Sequence, residues 1–367
     1  MKRPLTRAAL VAVVFSFLGA LTAGARGGGV ASALRADLPV RLSDAEFWDL
    51  SERFSEPGGT FHSDNFVSNE AWFQHVIPDL VTRVKPGGVY LGVGPEQNFT
   101  YMVAVRPRMA FIIDIRRGNL HEHLLYKALF ELSADRADFV SRLFCRERPA
   151  SLKTTSTVEE IFAAVSAAPR SRDIFTRNLK TVGDWLTTHH GFKLHADDLP
   201  GIEYVYQAMY DGGPEIGYVL NNAFGGRGVG SPGYGGLMAE DDGRGTQRSH
   251  LVSEENFRWL KDLETKNLVV PVVGNFGGPK ALRAVASYVR AQGGVVSAFY
   301  VSNVEMYLNQ DGIWNNFCQS VATLPLDASS TFIRSVRGGG LRDAGPGGFE
   351  SRLATIGTDV KACGGRP

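Results

Sequence analysis

Two glycines and a carboxylate are spaced along the chain as in a nucleoside-binding site. Gly92 and Gly94 end one apolar run, and Asp114, 20 residues after Gly94, ends the next. Glycine lets the backbone approach a ligand closely. An acid at the end of the second strand of a nucleotide-binding sheet accepts hydrogen bonds from ribose hydroxyls. Position 97 is Gln, so the third glycine of the pyrophosphate-binding fingerprint is missing, and the pattern favours a nucleoside without phosphates.

Polar residues also follow two later apolar runs and occupy a loop at residues 63–70 that we expect to cover the pocket. A carboxylate at Glu305 could act as a general base or hold a substrate amine. The alternative is an acid that simply favours a helix N-terminus. The candidate residues are Asn303 and Glu305 for catalysis; Gly92, Gly94, Glu96, Asp114 and Arg116 for cofactor binding; and Asp64, Asn65, Asn69 and Asn275 for substrate binding.

Two other clusters are weaker candidates. Residues 121–123 read His-Glu-His, but residues two apart on a helix point in different directions, so we predict no metal site. We expect Glu122 to be the capping partner of Asn119. Ser249-His250 has no evident acid partner, and the chain has no G-x-S-x-G motif, so a hydrolase triad is not favoured.

Four apolar runs predict the elements that position these candidates: residues 89–94, 109–115, 268–273 and 295–301. Unbroken apolar runs that alternate with helical patterns indicate an α/β fold, with a mostly parallel, doubly wound sheet and helices on both faces. Ligands bind outside the carboxyl ends of the strands in such a sheet. We therefore expect the polar ends of the four runs to meet at one edge.

The N-terminus has the pattern of a secretion signal. Lys2, Arg3 and Arg7 precede an apolar run over residues 8–21, and Ala23-Gly24-Ala25 is a small-x-small cleavage site. The run is shorter than the ~20 residues that span a bilayer, so we expect cleavage and export to the periplasm or medium. The alternatives are an uncleaved anchor or a wrongly assigned start, the latter leaving the chain in the cytoplasm.

The predicted organisation has several segments. They are a signal peptide over 1–25, a linker over 26–40, and an α/β domain over 41–335 with a helical insertion at 135–211 and a Gly-rich loop at 212–245, followed by a disordered Gly-rich tail over 336–367. Lys and Arg number 39 against 38 Asp and Glu, so no basic excess indicates nucleic acid. We expect a small-molecule ligand as partner and no stable membrane span after cleavage. The oligomeric state is left open. In an exported chain Cys318 and Cys363 could pair if the tail folds back.

Two short stretches, VYLGVGPE and FIIDIR, resemble the first and second motifs of class I S-adenosylmethionine-dependent methyltransferases. The stretches FSEPGG, SDNFVSNE, YLGVGPEQNFTYM, FIIDIRRGNL, YKALFELSADRADF, FGGPKALRAV and FYVSNVEMYL are also similar to a poorly characterised bacterial family with a methyltransferase-like domain. The resemblance covers roughly residues 65–320 and implies a Rossmann-like fold. It also implies S-adenosylmethionine over Gly92–Glu96 with its ribose on Asp114. Asn275 stands where this resemblance leads us to expect Asp.

Two functions stay open at this point. The motifs favour a methyltransferase that acts on a small substrate. The predicted signal favours an exported, non-catalytic α/β protein that binds another small ligand, because S-adenosylmethionine is made in the cytosol. Fold alone does not decide between them.

Overall fold

The sheet is built from the four predicted apolar runs and two further strands near the C-terminus. The computed structural model describes residues 37–218, 232–338 and 348–363. The strands are β1 (Val89–Gly92), β2 (Met109–Asp114), β3 (Val269–Val273), β4 (Val296–Ser302), β5 (Thr331–Arg337) and β6 (Phe349–Thr355). All residues of β1, β2 and β3 are buried, as expected for strands covered on both faces. The predicted α/β class and the mostly parallel sheet are confirmed.

The order of the strands places a crevice at the centre of the sheet. The order is β3-β2-β1-β4-β5-β6; β1 to β5 run parallel, and β6 pairs antiparallel with β5. The chain moves outward from β1 through β2 to β3, then returns to pair β4 with the other side of β1. Neighbouring connections therefore leave β1 and β4 in opposite directions, and a crevice opens at their carboxyl ends.

Helices cover the sheet and form most of the segment between β2 and β3. They are α1 (Asp44–Phe54), α2 (Ile77–Arg83), α3 (Gln97–Val105), α4 (Arg117–Leu132), α5 (Arg136–Leu143), α6 (Val158–Ala167), α7 (Arg172–Asp184), α8 (Asp198–Gly212), α9 (Tyr234–Ala239), α10 (Glu254–Thr265), α11 (Ala281–Ala291), α12 (Val304–Gln310), α13 (Trp314–Val321) and α14 (Ile356–Cys363). The segment predicted as a helical insertion contains α5 to α8. In the part of the chain that the structure describes, no helix is long and apolar enough to cross a membrane.

Local sequence signals set several helix starts. Ser43 and Glu46 form a reciprocal capping box at α1, where the Ser43 hydroxyl accepts from the Glu46 backbone N–H at 3.2 Å. Ser253 caps α10 through its hydroxyl, which accepts from the Asn256 backbone N–H at 3.2 Å. The expected pairing of Asn119 with Glu122 is wrong, because α4 begins at Arg117 and both residues lie inside the helix and are buried.

The C-terminal segment is more ordered than its composition suggests. Residues 336–367 are predicted as a disordered tail, but residues 349–355 form β6 against β5 and residues 356–363 form α14. A disulfide between Cys318 and Cys363 ties α14 to α13. The strand pairing and the covalent link hold a segment that has few apolar residues of its own.

The Gly-rich segment at 212–245 is also partly helical, since residues 234–239 form α9. Tyr234 and Leu237 of this helix are both fully buried. Residues 219–231 of this loop, the predicted signal peptide over 1–25 and most of the predicted linker over 26–40 lie outside the described residues.

Candidate functional site

A cleft of about 460 Å³ opens at the carboxyl ends of β1 to β4. Each of these strands contributes its end: Val93–Pro95 after β1, Asp114–Arg116 after β2, Gly274–Phe276 after β3, and Ser302–Val304 after β4. The remaining walls come from residues within 60–70, from Tyr218 and from α12. The expectation that the polar ends of the four runs meet at one edge is confirmed.

The turn after β1 is held from behind so that its backbone faces the cleft. Gly94 has φ +76°, a conformation that costs a residue with a Cβ about 1–2 kcal/mol. The Asn98 side-chain amide donates to the carbonyls of Val93, Gly94 and Pro95 at 2.8–3.1 Å. A Cβ on Gly92 would lie 1.9 Å from Asn98 Oδ1, so Gly92 makes room for this clamp and is not itself a wall of the cleft.

His123 supports the same turn. Its Nε2 lies 2.9 Å from the Gly94 carbonyl oxygen. Burial lowers the pKa of His123 to about 4, so the imidazole is neutral near pH 7 and Nε2 carries the proton that it donates. His121 turns the other way, with Nε2 2.8 Å from Asp198. No group of three or more His, Cys, Asp or Glu within the described ranges is arranged to hold a metal ion.

Asp114 lies at the end of β2 with its carboxylate already bound to Arg116. Oδ1 accepts from the Arg116 backbone N–H at 2.9 Å and from Nε at 3.1 Å, and Oδ2 accepts from Nη2 at 3.1 Å. Arg116 also donates to the Asp64 carbonyl. A carboxylate oxygen accepts about two hydrogen bonds. Oδ1 is therefore full, and Oδ2 can accept one more from a ligand in the cleft.

The polar loop before β1 contributes only part of its predicted set. Asn65 and Asn69 line the cleft, and Asn65 has φ +51°, which Asn tolerates better than most residues. Asp64 faces the opposite side of the loop, where its Oδ2 accepts from the Tyr204 hydroxyl at 2.9 Å. Asn275 lines the cleft, but its Oδ1 accepts from the Gly277 backbone N–H at 2.9 Å and so stabilises its own turn.

The two predicted catalytic residues are separated. Asn303 lines the cleft. Glu305 faces a smaller pocket beside the disulfide, where it pairs with both ends of the Arg334 guanidinium at 2.7 and 2.9 Å. Arg334 also pairs with Asp359 of α14. This arrangement connects α12, which forms part of the cleft wall, to the C-terminal helix.

Glu96 lies beneath the cleft rather than at its surface. Its carboxyl group is fully buried and accepts from the Ser68 backbone N–H at 3.3 Å. Burial raises its pKa to about 8, so the carboxyl is mostly protonated near neutral pH. Glu96 therefore fastens the 63–70 loop to the start of α3 and is not a direct ligand contact.

Glu70 is the cleft residue that the sequence analysis missed. It is 3% exposed and lines the cleft at the β1–β4 crevice. Its Oε1 accepts from the Tyr300 hydroxyl at 2.8 Å and from the Ser302 hydroxyl, and its Oε2 accepts from Gln97 Nε2 at 3.1 Å. The available signal was an acid at the end of the polar 63–70 loop, just before Trp72 and Phe73.

The outer wall of the cleft is aromatic. The Phe61 and Tyr307 rings meet edge to face with centroids 5.0 Å apart, and His62 lies 4.0 Å from Phe61. All three line the cleft. Together with Tyr300 and Phe276 they offer flat apolar surfaces for a planar ring, while the polar groups lie at the strand ends.

A family model described as a domain of unknown function matches residues 65–195 and 234–356. The two ranges include all four strand ends that form the cleft and most of the polar loop before β1. No curated protein matches the chain.

Proposed function

This chain belongs to the DUF7790 family, and from the geometry of its cleft we propose that it binds S-adenosylmethionine and transfers the methyl group to a small acceptor. The bound sulfonium would supply the reactive methyl group. On this proposal the α/β domain is Rossmann-like and methyltransferase-like. Its strand order, with two βαβ halves diverging from β1 and β4, is the arrangement that creates a nucleotide-binding crevice.

One observation carries the proposal. The Gly94 turn and the Asp114 carboxylate, which end neighbouring strands, line the same cleft at the point where the strand order reverses. A tight glycine turn and an acid on the next strand are the two groups that a nucleoside needs there, for close backbone approach and for the ribose hydroxyls.

The cleft suits this ligand in size and in chemistry. Its volume of about 460 Å³ lies within the ~300–1,000 Å³ typical of small-molecule sites. Oδ2 of Asp114 would accept one ribose hydroxyl, with Arg116 fixing the carboxylate. Phe61, Phe276 and Tyr307 provide apolar surface for an adenine ring, and Asn303 would orient the acceptor.

A second candidate is an exported protein that binds a small ligand without catalysis. The Cys318–Cys363 disulfide favours it, because disulfides persist in oxidising compartments outside the cytosol. The predicted signal at residues 1–25 supports the same location. In this second candidate the same cleft binds a small ligand, and no methyl group is transferred.

Titration calorimetry on the purified full chain tests the proposal. We expect saturable binding of S-adenosylmethionine with one site per chain. Absence of binding heat with both S-adenosylmethionine and S-adenosylhomocysteine at about 1 mM, where the standard free energy would be weaker than about −4 kcal/mol, would contradict it.

If S-adenosylmethionine binds, incubation with a small-molecule extract of the host separates the two candidates. Mass spectrometry detects S-adenosylhomocysteine for an enzyme and none for a binding protein.

A further inference from the structure

Glu70 lines the cleft at the β1–β4 crevice but has no cationic partner among the residues that the structure describes. Within the described residues it forms no ion pair, whereas Asp114, the other buried acid of the cleft, is paired with Arg116. Its neighbours are hydroxyl and amide groups on β4, β5 and α3. Burying a carboxylate without an opposite charge is unfavourable, and burial accordingly raises the pKa of Glu70.

The other titratable groups near Glu70 do not supply a positive charge. They are Tyr90 on β1, Tyr101 on α3, Tyr300 on β4, and Glu96 at the start of α3. The pKa of each tyrosine is raised, so these rings are neutral near pH 7. Among the described residues that line the cleft, Arg116 is the one arginine or lysine, and its guanidinium donates to the Asp114 carboxylate and to the Asp64 carbonyl.

The backbone is strained where it presents a donor to Glu70. Ser302 has φ +50°, and the pairing of β4 with β5 shifts register between Tyr300 and Ser302. A bulge of this kind re-aims a side chain, and such strain concentrates at binding and catalytic sites. Here it brings the Ser302 hydroxyl onto Glu70 Oε1, beside the Tyr300 hydroxyl.

We propose that Glu70 recognises the cationic centre of the bound ligand, which for the proposed function is the methylsulfonium of S-adenosylmethionine. This inference rests on that proposed function. Oε1 already accepts hydrogen bonds from the Tyr300 and Ser302 hydroxyl groups, so it does not require a hydrogen-bond donor from the ligand. A sulfonium has no hydrogen to donate and is attracted by charge alone. The carboxylate would thus distinguish S-adenosylmethionine from S-adenosylhomocysteine, which differs by the methyl group and the positive charge.

The test compares three ligands by calorimetry on the full chain: S-adenosylmethionine, S-adenosylhomocysteine, and sinefungin, which has a protonated amine in place of the methylsulfonium. We expect Glu70→Gln, which keeps the size of the side chain and removes the charge, to weaken the two cationic ligands about ten- to a hundredfold. Binding of neutral S-adenosylhomocysteine should stay close to that of the wild type, which also shows that the variant site is folded.

The possible outcomes separate the two proposals. If the wild type binds none of the three ligands, the proposed function itself fails. If the wild type binds them but Glu70→Gln weakens all three equally, or none, the role of Glu70 is overturned. If Glu70→Gln does not fold, as judged by its melting temperature, Tyr300→Phe decides with the same ligands. The Tyr300 hydroxyl donates to Glu70 and favours its charged form, so its removal should reduce the negative charge that faces the ligand. A selective loss of affinity for the cationic ligands supports the role of Glu70, and an equal change for all three ligands refutes it.

Discussion

Replacing Asp114 by Asn tests the ribose contact on which the proposed function depends. The substitution keeps the shape of the side chain and removes its charge. In the structure Oδ1 is fully occupied by Arg116, and Oδ2 accepts one bond from Arg116 at 3.1 Å. One position on Oδ2 is left for a ribose hydroxyl.

The expected magnitudes follow from this count. A single hydrogen bond to a charged group contributes roughly 1.5–3 kcal/mol, which corresponds to about a ten- to a hundredfold loss of affinity. Stability should fall as well, because the Asp114 and Arg116 side chains are only 6% and 11% exposed. Breaking a buried pair from one side costs ~3–5 kcal/mol. We expect the lower end, since Arg116 keeps its bond to the Asp64 carbonyl.

The assay measures S-adenosylmethionine affinity by calorimetry and the free energy of unfolding by urea titration on the same preparations. Arg116→Gln is the matched control, because it breaks the same pair and leaves the Asp114 carboxylate free to accept. Its affinity should fall less than that of Asp114→Asn, because the ribose acceptor is kept and only the Arg116 side-chain bonds that orient it are lost, while its stability falls like that of Asp114→Asn. Equal losses of affinity in the two variants, or an unchanged affinity in Asp114→Asn, would refute the ribose contact.

Three further predictions concern the fold around the cleft. Gly94→Ala should lower the free energy of unfolding by about 1–2 kcal/mol and weaken S-adenosylmethionine binding. Gly87→Ala, at a φ of +84° with open space around it, should show the same strain with no effect on binding; equal binding in both variants would argue against the Gly94 turn as a contact. Replacing both Cys318 and Cys363 by Ser opens a loop with a sequence separation of 45; the chain-entropy relation then gives a loss of about 4 kcal/mol at 25 °C. Urea unfolding checks this, and no difference from wild type would mean that the disulfide does not form. Because the Glu96 pKa is raised to about 8, stability from its protonated form is present at low pH and is lost between about pH 4.5 and 8, by up to ~1.4 kcal/mol per pH unit. Glu96→Gln should show a shallower fall over this range in urea titrations at several pH values, and an unchanged slope would contradict the burial argument.

The sequence predicted the sheet and its functional edge because the information needed is local. Unbroken apolar runs such as 109–115 can be buried on both faces only as central parallel strands, and polar groups at their ends must then lie at a common edge. Gly94 and Asp114 were identified in this way, since each is defined by its position relative to its own strand. Local signals of the same kind set the starts of α1 at Ser43 and of α10 at Ser253.

Other features depend on contacts between residues far apart in sequence. Glu305 forms an ion pair with Arg334 of β5. The C-terminal segment is ordered by strand pairing with β5 and by the disulfide between Cys363 and Cys318. The local pattern identifies neither Arg334 as the partner of Glu305 nor β5 as the partner of the C-terminal segment. A Gly-rich segment with few apolar residues is indistinguishable from a disordered one until its long-range contacts are known.

The role of Glu70 shows the same division most clearly. In the sequence it is the last residue of the SDNFVSNE stretch, and nothing local distinguishes it from Asp64, the other acid of the same loop. Only the tertiary structure brings it beside Tyr300 and Ser302, more than 200 residues later in the chain, and buries it without a cation. The sequence by itself determined which runs form β1 to β4 and where their polar ends lie, because burial of an apolar run is a local requirement. Which charged groups are paired and which are left for a ligand was decided by the packing of separate segments around the crevice.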